Sequence, residues 1–296
     1  MKPINLTIAM PTYNRAELLR ENIGSLLKSK HDFELLIIDD GSTDDTESVV
    51  KSFSDPRITY YRHSVNCGYA KSLNDGIERA KNSQIFLCED DAFILNPDKF
   101  FEILISEMDH RTIVATHLLV NGKETKPNLV KRLKRYFAAP LAKEVYCYNG
   151  HKRRTVKFCN NCFGFNRDKI TTRFEESDYI GNFFRIESDF QIRALKKGAN
   201  IVYNPKLVID HRRYVSGGLR VRDVDTFFYQ CMVNHITFLR RHYLTWNIYM
   251  NLLLKLLTHP TKWSIVKKAL KAYMKLQPTK SIHTTKPYLS ASEVSL

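Results

Sequence analysis

From Thr226 to Ser292 the chain carries ten lysines and arginines and no acidic residue. Such a stretch has no acid of its own to balance it and implies an anionic partner. The N-terminus, "MKPINLTIAMPTYNR", lacks the basic opening, long apolar run and small-residue cleavage site of a secretory signal. No apolar run reaches the roughly 20 residues of a membrane span. The strongest late run, Trp246 to Leu257, is interrupted by Lys255. A cytoplasmic protein is expected. The six cysteines (Cys67, Cys88, Cys147, Cys159, Cys162, Cys231) form no regular disulfide framework, so free thiols are expected. Internal repeats are missing too.

What is present is a chain of 296 residues, 43% hydrophobic, long enough to bury one large core. A single α/β domain with an appended C-terminal piece is expected. The net charge of +15 is unevenly placed: Gly122 to Lys169 holds 13 lysines and arginines against three acids, Glu124, Glu144 and Asp168. Lipid headgroup, nucleic acid or phosphorylated substrate would each suit such a surface. In the same region Cys147, His151, Cys159 and Cys162 offer four soft ligands with one C-x2-C pair. They are open to a structural zinc; alternatively Cys159 and Cys162 flank a strand as small apolar residues.

Apolar runs and helical periodicity alternate through the first half. "LTIAMPTYN" predicts a buried strand opening into a loop at Pro11. Leu18, Leu19, Ile23, Leu26 and Leu27 recur at helical spacing between Arg15 and Lys28. "FELLIIDDGS" is a second buried strand turning on Gly41, and Ser42 to Asp45 can N-cap a helix through Lys51. "RITYYRH" predicts a strand, "YAKSLNDGIERAK" a helix and "SQIFLCEDD" a fourth strand. This alternation argues βαβ units and a mostly parallel sheet, whose ligands bind beyond the carboxyl ends of the strands. Acids stand at two of those ends: Asp39-Asp40 and Glu89-Asp90-Asp91. Further on, a strand pair is expected around Tyr146 to Asn166 and a helix over "ESDFQIRALKKG", capped by Gly198. The strand "NIVYNPKLVIDH" then returns to the site at Asp210-His211, followed by a basic glycine-containing loop, "HRRYVSGGLRVRD". From Asp225 the pattern is helical, and a tail rich in Ser, Thr and Pro reads as disordered.

Five stretches in order, "IAMPTYNR", "ELLIIDDGSTDDT", "NCGYAKSLNDGI", "FLCEDDAF" and "ESDFQIRALKKGANIVYNPKLVIDH", resemble the family 2 glycosyltransferases. The resemblance covers roughly residues 4 to 215. It implies the GT-A fold, an α/β, Rossmann-like mixed and mostly parallel sheet flanked by helices. A catalytic domain is then expected over 1–225, with a nucleotide-binding half (1–120) and an acceptor and catalytic half (121–225). A basic helical extension would follow over 226–277 and a disordered tail over 278–296.

The same resemblance implies residue roles. A nucleotide-sugar donor, UDP-linked, leaves charge on its diphosphate, which a divalent Mn2+ or Mg2+ neutralises. Asp91 matches the direct metal ligand, and Asp90 would contact the ribose or a metal-bound water. Glu89 stands where the family varies and is read as solvated; a surface acid cluster capping a helix is the plain alternative. Asp40 matches the aspartate that accepts a hydrogen bond from uracil, with Asp39 in support. Pro11, Thr12, Tyr13 and Arg15 match the loop around base and ribose, though "TYNR" is also an ordinary strand-to-helix turn. Asn66 and Gly68 match an Asn-x-Gly turn. Lys71 stands near the diphosphate or is a solvated helix lysine. Counting back from Arg193 and Gly198 puts Glu187 at the position of the catalytic base, preferred over Asp189; alternatively both acids pair with Arg185 or Arg193. His211 matches a histidine completing the metal or diphosphate site, or is structural. Beyond the resemblance, Arg212, Arg213, Arg220 and Arg222 surround Gly217-Gly218 in a loop suited to closing over phosphates.

Between Lys262 and Leu276 one helical face carries Trp263, Val266, Leu270, Tyr273 and Met274, and the other Lys267, Lys268, Lys271 and Lys275. That pattern fits an anionic membrane surface, or a helix packed on its own domain. An inverting, metal-dependent glycosyltransferase is therefore expected, cytoplasmic and peripheral on the inner membrane face. Its acceptor would be a hydroxyl of a cell-surface glycan or lipid-linked saccharide. Two other readings stay open: a transferase acting on nucleic acid or protein, and a non-catalytic sugar-nucleotide or glycan-binding protein of the same fold. Tyr136, Phe137, Tyr146 and Tyr148 show no spacing that marks a nucleic-acid module, so nucleic acid is the weaker partner.

Overall fold

The computed structural model describes residues 2–108, 111–124, 154–155, 161–181, 183–212, 223–242 and 260–275. Its first half alternates β1 (Lys2–Thr12), α1 (Ala16–Leu26), β2 (His31–Asp39), α2 (Thr46–Lys51), β3 (Ile58–Arg62), α3 (Tyr69–Arg79) and β4 (Gln84–Leu87). The near-continuous apolar runs of β1 and β2 follow from burial on both faces. Leu6, Ile8 and Met10 point into one core with Leu19, Ile23 and Leu26 of α1. Ala9, Leu36 and Ile38 point into the other, with Ala70, Leu73 and Ile77 of α3. The period of two along a strand thus feeds two helical layers from one sequence.

The second half adds β5 (Ala92–Ile94), α4 (Pro97–Glu107), β6 (Thr112–Val120), β7 (Lys123–Glu124), β8 (Arg154–Thr155) and β9 (Phe163–Asn166). After these come α5 (Ile186–Lys196), β10 (Asn200–His211), α6 (Val224–His242) and α7 (Trp263–Lys275). Among the described residues ten strands form one sheet, ordered β3-β2-β1-β4-β9-β6-β10-β5, with β7 on β6 and β8 on β10. β1, β2, β3 and β4 are parallel, and β9 runs antiparallel to both β4 and β6. Because β6 and β10 are parallel, β10 points the same way as β1, β2 and β4, and all four end on one edge.

The expected fourth strand, 83–91, ends at Leu87; Cys88 to Asp91 form a turn into β5, which pairs antiparallel with β10. Cys162 is buried, whereas Cys147, His151 and Cys159 of the soft-ligand group lie outside the described residues. Arg213, Gly217, Gly218, Arg220, Arg222, the run 246–257 and the tail 278–296 also lie outside them.

The helix carrying Glu187 and Asp189 is bolted to the core by the second acid. Asp189 is fully buried and accepts from Arg193 Nε and His242 Nε2, both at 2.7 Å, with Arg241 Nε at 3.3 Å. Arg241 also reaches Asp178 at 2.6 Å and Glu175 at 3.2 Å. α6 and α7 share this core: Met232, Ile236 and Phe238 join Val266 and Ala269 in the cluster that holds Phe190. Val266 and Leu270, on the face that suits either lipid or packing on the domain, therefore pack inward. Among the described residues no helix is long and apolar enough to cross a membrane.

Burial alone would raise the Asp189 carboxyl, but the His242 hydrogen bond and the Arg193 and Arg241 charges outweigh it and hold it at about 2. A depressed carboxyl stabilises the fold above its unfolded value and loses that contribution as pH falls through the folded one. Asp189→Asn is therefore expected to cost about 3–5 kcal/mol near neutral pH, the range for breaking a buried ion pair. The penalty should shrink as pH is lowered from about 4 toward 2 in chemical denaturation; an undiminished penalty would argue against the ion network as its source.

Candidate active site

The ends of β1, β2, β4 and β10 gather five polar positions on one sheet edge: Thr12, Asp39-Asp40, the 88–91 turn and His211. The N-termini of α3 and α5 add Tyr69 and Glu187 beside them. At the β2 end, Asp39 is wholly buried, accepting from Ser42 N at 2.8 Å and from Tyr60 Oη at 2.6 Å. It shapes the turn, while its neighbour Asp40 faces the loop before α3 and accepts from the backbone N–H of Cys67 (2.8 Å) and Gly68 (2.9 Å). Both turns need glycine. Gly41 has φ +75° with a would-be Cβ only 2.7 Å from the Val65 carbonyl carbon, and Gly68 has φ +94°.

The 88–91 turn is held from below by an amide. Asn22, fully buried on α1, donates from Nδ2 to the carbonyls of Asp90 (2.9 Å) and Ala92 (3.1 Å). Thr12 Oγ1 donates to Asp90 Oδ2 at 2.9 Å, and Arg15 Nη1 reaches Asp91 Oδ2 at 3.3 Å. Arg15 is 8% exposed, and its Nε has no partner among the described residues. A buried guanidinium N–H without an acceptor suits an anionic ligand.

His211 Nε2 lies 3.0 Å from Asp91 Oδ1 and 3.3 Å from Glu89 Oε2. One ligand atom each from Glu89, Asp91 and His211 falls within 4.8 Å of the others. Two carboxylates and an imidazole at that spacing fit a small divalent ion completed by phosphate oxygens. Glu89 is thus drawn into the cluster rather than solvated, and Asn161 Nδ2 donates to it at 2.9 Å. Tyr69 Oη donates to Glu89 at 3.4 Å and stands beside Glu187.

Crowding acids on a buried edge has measurable consequences. Burial, with the like charges of Asp91 and Glu89, pushes Asp90 up to about 7 despite Arg15 and Thr12. Burial and the Glu89 charge raise Glu187 to about 8, against its backbone hydrogen bond, Tyr69 and Arg185. Burial would lower His211, yet Asp91 and Glu89 lift it to about 10. Just before Glu187, Arg185 adopts a left-handed φ of 80°, an uncommon backbone state for a large side chain.

Of the residues singled out in the sequence, Thr12, Arg15, Asp90, Asp91, His211 and Glu187 meet at this edge, with Asp40 and Gly68 at the neighbouring turn. Pro11 pairs with Ile38 as the last turn of β1 approaches, Tyr13 is half-buried, and Asn66 is exposed. Lys71 ion-pairs with Asp75 on its own helix, and Asp189 belongs to the buried network on α5. Sequence reasoning missed Asn22, Tyr69 and Asn161. Only Asn22 left a signal, a polar residue on the apolar face of α1.

The mixed, mostly parallel α/β sheet has the arrangement of a GT-A-type fold, and comparison bears this out. Staphylococcus aureus TarS 1-349 in complex with UDP-GlcNAc matches 91% of this chain and 81% of its own, with TM-score 0.57 and 14% identity. The mannosyltransferase PcManGT from Pyrobaculum calidifontis, in complex with GDP-Man and Mn2+, matches 91% and 75%, with TM-score 0.56 and 16% identity. The model of glycosyl transferase family 2 matches residues 7–174, and the chain belongs to that family. An uncharacterized glycosyltransferase of Haemophilus influenzae is 35% identical over 115 residues, 38% of this chain and 45% of the relative. Validoxylamine A glucosyltransferase of Streptomyces hygroscopicus subsp. jinggangensis is 33% identical over 103 residues, 33% of this chain and 24% of that protein. The chain spans less than half the length of these relatives.

The amide of Asn22 generates a prediction. Asn22→Leu removes the amide donor from two buried carbonyls, so it should cost about 1–3 kcal/mol in denaturant melts. It should also weaken Mn2+ binding followed by water-proton relaxation. Unchanged Mn2+ affinity in the folded variant would show that the turn keeps its shape without Asn22.

Proposed function

We propose that this chain transfers a sugar from a UDP-linked donor to a hydroxyl of a cell-surface glycan or lipid-linked saccharide, with inversion at the anomeric carbon. The observation that carries the reading is the convergence of Glu89, Asp91 and His211 with Glu187 at one sheet edge. Asp91, His211 and Glu89 would hold a divalent ion, which would supply neutralisation of the diphosphate leaving group, and the imidazole favours Mn2+ over Mg2+. Asp40 takes the base edge of the nucleotide, and Arg15 Nε faces its phosphates. Glu187 removes the proton from the acceptor hydroxyl as that oxygen bonds to the anomeric carbon. The bond from that carbon to the diphosphate oxygen breaks, and its electron pair departs with the nucleotide. Tyr69 stands beside the Glu187 carboxylate, and the α5 N-terminus favours its ionised form.

The acceptor reading extends to a bilayer surface. With Val266 and Ala269 turned inward, α7 leaves outward Lys267, Lys268, Lys271 and Trp263, which is 46% exposed. Lys267 Nζ sits 4.9 Å from the Trp263 ring centroid.

A base works in its ionised form, and Glu187 lies high, so turnover should rise with pH along a limb ending near or below pH about 8. Glu187→Gln should remove that limb and lower turnover about 10²-fold or more with donor affinity little changed. Asp91→Asn should abolish transfer and the Mn2+ dependence of UDP binding; near-normal activity at limiting Mn2+ would sink the assignment. A thermal-shift panel of nucleotide sugars with and without Mn2+ tests the donor. For the surface reading, Lys267→Glu with Lys271→Glu should cut pelleting with anionic vesicles about tenfold or more, at about 1 kcal/mol per lysine. Pelleting indifferent to these changes and to salt would exclude a bilayer.

A further inference from the structure

Behind the nucleotide-facing turn lies a buried chain of titratable groups that the reaction itself does not use. His63, 6% exposed, places Nδ1 2.8 Å from Asp40 Oδ1 and Nε2 2.7 Å from Asp75 Oδ2. Asp75 is 3% exposed on the inner face of α3 and is ion-paired with Lys71. The ring is further fixed edge-on against Tyr61, at 5.4 Å and 83°, and Arg79 stacks over Tyr61 at 3.5 Å. A ring gripped through both nitrogens, one toward each carboxylate, cannot turn. Burying two acids and a histidine is costly, and core packing alone does not need them.

We infer that His63 is a positioning residue that locks the Asp40 carboxylate and so sets the preference for the nucleobase; the inference rests on the reading that Asp40 meets the base. A carboxylate offers about four acceptor positions. Among the described residues, His63 and Cys67 N occupy those of Oδ1, and Gly68 N occupies one of Oδ2. One remains, on Oδ2. It suits the single ring N–H of uracil, whereas cytosine presents a bare nitrogen there and guanine presents two donors. The lock matters because a carboxylate free to rotate could rearrange its acceptors to suit other bases.

Binding of UDP and CDP to the full chain with Mn2+, by titration calorimetry, tests this. Wild type should prefer UDP. His63→Gln can donate toward only one carboxylate, so UDP affinity should fall about tenfold or more, since a lost charge-assisted hydrogen bond is of that size. The UDP-to-CDP ratio should collapse toward one, with turnover at saturating donor within about twofold of wild type, because the loss is of uniform binding. Asp75→Asn, which still accepts from Nε2, should move the ratio in the same direction by less, and it serves if His63→Gln does not fold. A folded variant with lower Tm but the wild-type ratio would overturn the role of His63. Absence of any UDP preference in the wild type would instead overturn the reading of Asp40 and the UDP donor.

Discussion

Like-charge crowding at the carboxyl edge of the sheet is the constraint that the rest of the molecule answers. Glu89, Asp90, Asp91 and Glu187 are brought together with little solvent to screen them, and two cations from distant parts of the chain oppose them. Arg15 arrives from the turn after β1 and His211 from the end of β10. Each is supported in turn: Asn22 holds the turn from α1, and the Arg212 N–H donates to the Asp91 carbonyl at 2.8 Å. The first and last strands of the catalytic sheet thus share one electrostatic knot.

Much of the first half was legible because local and global signals coincide there. Apolar runs on β1 and β2, helical spacing on α1 and glycine at the β2 turn each point to the same parallel arrangement. The acid turn was legible as a cluster but not as a shape. Nothing within Phe86 to Ile94 tells that the strand stops at Leu87, because the cause is an amide on α1. Glu89 was misplaced for the same reason: its partners Tyr69, Asn161 and His211 come from three other segments.

Glu187 and Asp189 show what spacing can and cannot separate. Residues two apart on a helix point away from one another, so the two acids were bound to serve different surroundings. Which faced the site could not be read locally, since His242 and Arg241, which claim Asp189, stand at the far end of α6. The basic C-terminal helix carried a comparable ambiguity. Its amphipathic pattern fits lipid or protein equally, and only the packing of Val266 and Ala269 divides the two faces.

The antiparallel strand β9 joins the two halves of the sheet, pairing Leu87 with Phe163 and Gln84 with Asn166 on one side and Val114 with Gly164 on the other. Pairings so remote in sequence require a large loop to close first and are slow to form. The block of β1 to β4 can order from near-neighbour contacts, whereas His211 reaches the acids through the docking of β10 on β5 and β6. The full cluster of Glu89, Asp91 and His211 is consequently a property of the finished sheet. An ion or nucleotide captured there stabilises global folding by mass action, and would slow the opening of the central seam rather than the fraying of either flank.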